Sequence, residues 1–424
     1  MISDVTRRTA LGLMASAAVL PACQTSAAAP NPESWVPTAG RVDEIEATVS
    51  EFALPGMGIA VIEEGALAWQ GSFGVTNIET GQKVQDDTLF QAASMTKPVF
   101  SWLVMKYIEE GRLSLDSRLV DYFRPEDFPD APAFDAIRVR HVLTHATGMP
   151  NWRNEDTPED VAGLVPAAEP GSGWYYSGEA FYWLQQVIET IEGKGLGTIA
   201  RERLFEPAGL KDCFMNWSPE TDGREVYGHE VSEDGKPVLA EVQYFRTLGP
   251  GLQQVADRWG RPIESWTASD YRQAVALMPP IEAGPIADYP VWKRKLPGSA
   301  MINAASSLRT TPADYARFLS LFFPHRPAGW ELSAATRDLM MTPQVERPQS
   351  SPFKPWGLGI GIERRDDANL IYHEGNNSGR YISMALAQPE RRRAIAVFTH
   401  GSRGEGATHK VMRLLTQSPF HILD

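Results

Sequence analysis

The sequence predicts an α+β fold in which one antiparallel sheet is assembled from strands at both ends of the chain, with a mainly helical region inserted between them. Strand-like segments occur near the N-terminus and again from residue 356 onward, whereas residues 112–217 consist mainly of helical and loop segments. Of the 424 residues, 43% are hydrophobic and 22% are charged, which is an ordinary globular composition with material for one large core or two modest ones.

The first predicted elements are a short amphipathic helix over residues 42–52 and two strands, 58–62 and 66–71. A buried helix follows, because apolar residues recur at three-and-four spacing between residues 99 and 108. Pro98 is tolerated in its first turn, and Gly111 supplies the stop.

Further helices are predicted at residues 138–148, ended by Gly148, and at residues 180–191, with a mixed apolar and aromatic face. Residues 218–297 are rich in Gly, Pro and Trp and show no sustained periodicity, so a lid, a pocket wall and a surface loop remain alternatives. The remaining predicted elements are a helix capped by Thr311, strands at 356–363, 370–373, 381–388 and 393–399, and a final helix at 407–415.

The first 23 residues predict an export signal. Arg7 and Arg8 precede an apolar run over residues 10–22 that is too short to span a bilayer, as in a twin-arginine signal peptide. The run ends in a pattern similar to a bacterial lipobox, which makes Cys23 a candidate for lipidation; an ordinary signal with an incidental cysteine is the alternative. Residues 24–41 are then a linker, and residues 42–424 the folded domain. We expect a periplasmic protein that contacts a membrane only through a lipid on Cys23.

Composition also excludes several functions. The formal net charge is −13 and no basic block occurs, which argues against nucleic-acid binding. Two cysteines cannot build a disulfide framework or a cysteine-based metal site. His141 and His145 have the spacing of a zinc pair, but Val142 lies where a metalloprotease needs glutamate, so we expect structural histidines and no metal.

The strongest functional signal lies at the start of the buried helix. Ser94 and Lys97 form an S-x-x-K pattern, one helical turn apart and on the same side. A hydroxyl near a helix N-terminus and beside an amine can be activated as a nucleophile. The alternative is a helix-capping serine and a solvated lysine.

With two further motifs, this pattern resembles the serine β-lactamase and penicillin-binding-protein superfamily, in particular its class C-like branch with the family VIII carboxylesterases. Tyr176-Ser177-Gly178 lies where that branch has Y-x-N, and His373-Glu374-Gly375 lies where it has K-T-G or H-x-G. The similarity extends over residues 42–415. It implies a β-lactamase/transpeptidase-like fold and a reaction that needs no metal or organic cofactor.

The resemblance also implies roles for the matching residues. Ser94 would attack a carbonyl group and form an acyl-enzyme, Lys97 would accept its proton, and Tyr176 would relay protons to the leaving group. The backbone N–H groups of Ser94 and Asn376 would form an oxyanion hole, and Gly375 belongs to the same substrate-binding strand.

Two departures from the family pattern bear on the substrate. Gly178 replaces an asparagine that contacts the substrate amide in lactamases, and His373 replaces a lysine that helps bind a substrate carboxylate, which a mostly neutral imidazole does more weakly. Small-molecule carboxylic esters or amides are therefore the first hypothesis, and a β-lactamase or D-Ala-D-Ala carboxypeptidase-like peptidase is the second. A non-catalytic binding protein on the same fold is the alternative of a different class. Glu179 and Glu374, which adjoin the motifs, are expected to face solvent.

Overall fold

The structure, a computed structural model, describes residues 34–153, 161–241, 243–279, 302–324, 331–347, 355–366, 368–417, 420 and 422. The predicted export signal with Cys23, most of the predicted linker and residues 280–297 lie outside the described residues. Within the described ranges, no helix combines the length and the apolar character needed to cross a bilayer.

Strands from both ends of the chain form the main sheet, as predicted. The strands of the chain are β1 (Gly56–Glu63), β2 (Ala66–Gly74), β3 (Phe90–Gln91), β4 (Cys213–Phe214), β5 (His229–Val231), β6 (Pro237–Leu239), β7 (Arg309–Thr310), β8 (Val345–Glu346), β9 (Pro355–Trp356), β10 (Gly361–Glu363), β11 (Leu370–Asn377), β12 (Tyr381–Gln388) and β13 (Arg393–Thr399). The main sheet is antiparallel and has eight strands in the order β2-β1-β13-β12-β11-β10-β9-β8. Two small sheets, β3-β7-β4 and β5-β6, accompany it.

The helices lie mainly between the two groups of strands. They are α1 (Ala39–Glu51), α2 (Thr96–Glu109), α3 (Val139–Leu143), α4 (Gly178–Glu192), α5 (Leu196–Ala200), α6 (Glu206–Ala208), α7 (Pro219–Asp222), α8 (Tyr244–Trp259), α9 (Ala268–Leu277), α10 (Pro312–Leu319), α11 (Ala334–Met340) and α12 (Gly404–Thr416). The predicted helices at 42–52, 98–110, 180–191 and 407–415 are therefore confirmed, with ends that differ by a few residues.

Both faces of the main sheet are covered, which explains the continuous apolar runs in its central strands. In β1, Ile59 and Val61 belong to a core with residues of α1 and α12. The intervening Ala60 and Ile62 belong to a second core that contains α2, α4 and α10. Helix α2 thus lies in the interior and is buried on nearly every side, rather than on the single face that its periodicity predicts.

Three predicted boundaries need correction. Helix α1 begins at Ala39, and Trp35 is fully buried against Phe420, so the end of the predicted linker already belongs to the domain. The predicted strand 356–363 is interrupted at residues 357–360, where Gly359 has a φ of 80° and donates its N–H to the Leu143 carbonyl. The helix at 138–148 ends at Leu143, well before the predicted stop at Gly148.

The described part of residues 218–297 is more regular than predicted. It contains α9 and the 16-residue helix α8, which has Pro250 in its interior. Pro250 and the glycines on either side of it lower the helix propensity and interrupt the helical spacing of apolar residues in the sequence. The helix forms nevertheless because Leu248, Leu252 and Val255, spaced by four and three residues, are buried in the core.

Candidate active site

Ser94 lies in a tight turn, Ala93–Met95, between β3 and α2. Ala93 has a left-handed φ of 49°, an uncommon conformation for a residue with a side chain and one often found at functional sites. The turn is stabilised by Thr96, whose hydroxyl donates to the Ala93 carbonyl at 2.7 Å and accepts the N–H of Leu308 at 3.0 Å. Ser94 itself is partly exposed and does not cap α2, since the residue before the first helical residue is Met95.

Lys97 is buried beneath this turn, with 1% of its surface exposed. Its Nζ atom lies 3.1 Å from Ser94 Oγ and donates to the Ala305 carbonyl at 2.9 Å. Burial disfavours the ammonium form and lowers the pKa of Lys97 to about 7. The alternative of a solvated surface lysine is therefore wrong, and an amine able to accept a proton lies in contact with the Ser94 hydroxyl.

Tyr176 completes this group from the loop before α4. The Lys97 amine lies 4.6 Å from the centre of the Tyr176 ring, and Tyr176 lines the same cavity as Ser94. Desolvation raises the pKa of Tyr176, and the nearby Ser94 hydroxyl only partly offsets this effect. Near neutral pH, Tyr176 is therefore a phenol that can donate and accept hydrogen bonds, whereas Lys97 is the group poised to change its charge.

His145 supports Tyr176 from behind. It takes the left-handed position after α3, with a φ of 54°, and its ring stacks on that of Tyr176 with centres 4.2 Å apart. Its Nδ1 accepts the N–H of Ser177 at 3.1 Å, which fixes the ring. His141 instead accepts the N–H of Arg138 at the start of α3. The two histidines thus have separate structural contacts, and among the described residues no group of acidic, histidine or cysteine side chains is arranged to hold a metal.

Strand β11 forms the opposite side of the site. Gly375 pairs with Ser383 of β12, and a Cβ atom on it would collide with Ser383 Oγ and with the carbonyl of Ala92. Only glycine therefore allows this strand to approach the Ser94 turn so closely. Asn376, the next residue, is exposed and lines the same cavity as Ser94.

His373 is buried on the same strand. Its Nδ1 donates to the Glu374 carbonyl at 2.7 Å, and burial lowers its pKa to about 3, with the charge of Lys97 adding to the effect. His373 is therefore a neutral imidazole throughout the physiological pH range.

Gly178 differs from the other predicted site residues in its position. It is the first residue of α4 and is buried behind Trp152, with whose ring a Cβ atom at this position would collide. The indole thus fills the space that a side chain at position 178 would need. Gly178 is not among the residues that line the cavity.

The two acidic residues beside the motifs have different environments. Glu374 is exposed, as predicted. The prediction for Glu179 is wrong: it is 1% exposed and forms a bidentate ion pair with buried Arg153, which also bonds Asp127 at 2.6 Å. Glu179 is thus a structural group that ties the loop around residue 152 to the start of α4.

The cavity beside Ser94 has a volume of about 310 Å³ and includes residues that the sequence analysis missed. Arg347, just after β8, donates to the Tyr372 hydroxyl at 2.9 Å and lies 4.9 Å from the centre of the Trp174 ring. Other lining residues that were not predicted include Asn151, Trp356, Glu405 and His409. Only Trp174 had a sequence signal, as part of the Pro-Gly-x-x-Trp pattern before Tyr176. The others lie on loops, on strand β9 and on helix α12, which only the tertiary fold brings together at the cleft.

Known proteins are similar to this chain in sequence or in fold. The chain is 29% identical over 210 residues to Esterase EstB of Burkholderia gladioli, covering 43% of this chain and 53% of that protein. It is 28% identical over 220 residues to Penicillin-binding protein 4 of Amycolatopsis lactamdurans, covering 49% of this chain and 58% of that protein. The chain thus spans about half the length of these curated relatives.

Structural comparison and the family model extend the likeness to most of the chain. The octameric penicillin-binding protein homologue from Pyrococcus abyssi shares the fold, with a TM-score of 0.65 at 20% identity over 89% of this chain and 77% of that one. The family model described as Beta-lactamase matches residues 42–416. With this match and the arrangement of Ser94, Lys97 and Tyr176 around one cleft, the chain belongs to the beta-lactamase family.

Proposed function

We propose that the protein is a serine hydrolase that cleaves carboxylic esters or small amides through an acyl-enzyme on Ser94. The observation that carries the proposal is the 3.1 Å contact between Ser94 Oγ and the buried Lys97 amine, whose pKa is lowered to about 7. A serine hydroxyl is a weak nucleophile, and an adjacent base that is partly unprotonated at neutral pH activates it.

The reaction begins with attack of Ser94 Oγ on the substrate carbonyl carbon while its proton passes to Lys97. The resulting oxyanion accepts hydrogen bonds from the N–H groups of Ser94 and Asn376, each typically worth about 3–4 kcal/mol of barrier. Collapse of the tetrahedral intermediate breaks the bond to the leaving group, which takes the proton back from Lys97 through the Tyr176 phenol. Water then attacks the acyl-enzyme by the same route and releases the carboxylic acid, leaving Ser94 and Lys97 as they began.

The preference for esters and small amides rests on the wall around Ser94. His373 is neutral and buried, so it adds no positive charge for a substrate carboxylate. Gly178 has no side chain that could contact a substrate amide, and the Trp152 ring leaves no room for one. The similarity to Esterase EstB supports the same substrate class.

Arg347 favours a second candidate, a peptidase or amidase acting on substrates that carry a carboxylate. Its guanidinium lies in the cleft, positioned by the Tyr372 hydroxyl and by the Trp174 and Trp356 rings. A permanent cation at this point can bind a carboxylate in the absence of the family's lysine. The similarity to Penicillin-binding protein 4 supports this candidate.

Covalent labelling tests the nucleophile. A fluorophosphonate probe should label the wild-type protein, and Ser94→Ala should abolish labelling, because the probe reacts with an activated serine. Ser114→Ala, which changes an exposed serine outside the cavity, is the control and should be labelled like the wild type. Labelling of the Ser94→Ala variant at the wild-type level would contradict the assignment of Ser94 as nucleophile, and absence of labelling of the wild type would favour a non-catalytic binding protein.

The same preparations separate the substrate classes. We expect measurable cleavage of short-chain 4-nitrophenyl esters and poor turnover of a chromogenic cephalosporin. Faster turnover of the cephalosporin would reverse this ranking.

We further propose that the enzyme acts in the periplasm, attached to the membrane through a lipid on Cys23. This proposal rests on the N-terminal sequence pattern alone.

A further inference from the structure

We infer that the Asn151 carboxamide is a specificity-determining group that binds a carbonyl oxygen on the acyl part of the substrate. It thereby selects esters and amides whose acyl chain carries a carbonyl near the scissile bond. The inference rests on the proposed function and concerns which substrates the Ser94 site prefers.

Asn151 lies in the wall of the cleft into which Ser94 also faces. It lines the same cavity as Ser94 and Tyr176 and is itself exposed there. Its backbone carbonyl accepts the N–H groups of Gly178 and Glu179, both at 2.9 Å. These two bonds tie Asn151 to the first turn of α4, immediately after the segment that carries Tyr176.

The orientation of the carboxamide follows from one further bond. The N–H of Gly178 donates to Asn151 Oδ1 at 3.0 Å, and a backbone N–H can be satisfied only by the oxygen of the amide. The Nδ2 amino group is therefore the other end of a fixed carboxamide. Among the described residues it has no acceptor, so two N–H donors are available to a molecule in the cleft.

The surroundings keep this donor in place. Trp152 packs over Gly178, and the N–H of Arg153 donates to the carboxylate of Glu179 at 3.1 Å within a buried ion pair. The two residues that follow Asn151 are thus held in place. A pre-positioned neutral donor loses little entropy on binding, and it is better suited to a neutral carbonyl oxygen than to a carboxylate. A carboxylate would instead favour the charged Arg347.

A pair of matched esters tests the inference. 4-Nitrophenyl N-acetylglycinate and 4-nitrophenyl pentanoate have acyl chains of equal length and the same leaving group, but only the first has a carbonyl for Nδ2. The readout is the ratio of their kcat/KM values after subtraction of spontaneous hydrolysis, because a ratio is independent of the fraction of active protein.

Two variants separate donation from structure. Asn151→Asp keeps an acceptor for the Gly178 N–H and removes the donor, whereas Asn151→Leu removes both at similar size. We expect the ratio to fall about fivefold in both variants, the factor for one neutral hydrogen bond. Asn369→Asp is the matched control: Asn369 is an exposed asparagine outside the cavity whose Oδ1 also accepts a backbone N–H, from Arg365 at 3.3 Å.

Each result decides between defined readings. A ratio that stays within twofold of the wild type in Asn151→Asp overturns the inference. If kcat/KM falls equally for both esters, and only in Asn151→Leu, Asn151 has a structural role. If the wild type cleaves neither ester and is not labelled by the fluorophosphonate, the proposed function fails and the inference fails with it. If the wild type is labelled and cleaves both esters equally, only the inference fails.

Discussion

The two walls of the cleft differ in how they use burial and charge. The nucleophile wall, formed by Ser94, Lys97 and Tyr176, places an amine in an apolar interior with the Ser94 hydroxyl and one backbone carbonyl as its hydrogen-bond partners. The strand wall, formed by residues 373–376 of β11 with Arg347 beside them, presents the exposed Glu374 and Asn376 and an arginine to the cavity. The reactive groups thus lie on the nucleophile wall, and the accessible charges lie on the strand wall.

The difference shows that desolvation has opposite uses on the two sides. Burial lowers the pKa of Lys97 to about 7, which creates a base that works at neutral pH. Burial lowers the pKa of His373 to about 3, which removes it as a source of charge or protons. The nucleophile wall is expected to govern the activation of Ser94, and the charges of the strand wall the choice between neutral and carboxylate-bearing substrates.

The largest expected effect comes from Lys97→Met. The substitution keeps the length of the side chain and removes the base, so kcat/KM for a 4-nitrophenyl ester should fall by about 10³ or more. Lys106→Met, on the same helix and outside the cavity, is the control and should retain wild-type activity. A Lys97→Met variant with more than a tenth of the wild-type activity would contradict the role of Lys97 as base.

The same variant should gain stability. The folded pKa of Lys97, about 7, lies below the unfolded value of about 10.4, so folding is opposed by this group at and below pH 7 and the opposition fades as the pH rises toward 10. After loss of the hydrogen bonds to Ser94 and Ala305, we expect Lys97→Met to raise the free energy of unfolding at pH 7 by roughly 2 kcal/mol. Urea denaturation at pH 7 and pH 9 measures this gain, which should be smaller at pH 9.

The pH profile of the wild type gives the next largest effect. Because the unprotonated Lys97 is the active form, kcat/KM for a neutral ester should rise about tenfold per pH unit below pH 7 and level off above it. His373 should add no ionisation between pH 5 and 9, since its pKa is lowered to about 3. Initial rates over this range measure the midpoint. A midpoint near 4 to 5 would assign the base to a carboxylate instead.

The sequence predicted the central strands of the sheet and the nucleophile wall better than the strand wall, where it missed Arg347. Strands β12 and β13 were predicted with their observed ends because both faces are buried and their residues are continuously apolar. Ser94 and Lys97 were found because both belong to one helical turn, whose spacing is fixed locally. Tyr176 required the resemblance, since nothing local connects it with Ser94.

The rest of the site depends on long-range contacts that no local pattern encodes. Arg347 and Asn151 reach the cleft through loops, where position is set by partners such as Tyr372 and the N-terminus of α4. Glu179 looks like an exposed acidic residue in the sequence, and only its pairing with Arg153 buries it. The sequence likewise predicted one continuous strand at residues 356–363, whereas the hydrogen bond from the Gly359 N–H to the Leu143 carbonyl interrupts it.

The smallest expected effect tests selection by the strand wall through Arg347→Gln. Glutamine keeps a donor for the Tyr372 hydroxyl but removes the positive charge, so a substrate carboxylate loses an ionic hydrogen bond. The kcat/KM for the 4-nitrophenyl monoester of glutaric acid should fall about fivefold, and that for 4-nitrophenyl pentanoate should change less than twofold. Arg364→Gln, which removes an arginine paired with Glu346 outside the cavity, is the control. Equal losses on both esters would show that Arg347 acts on the reaction itself, and the division of labour between the two walls would then be wrong.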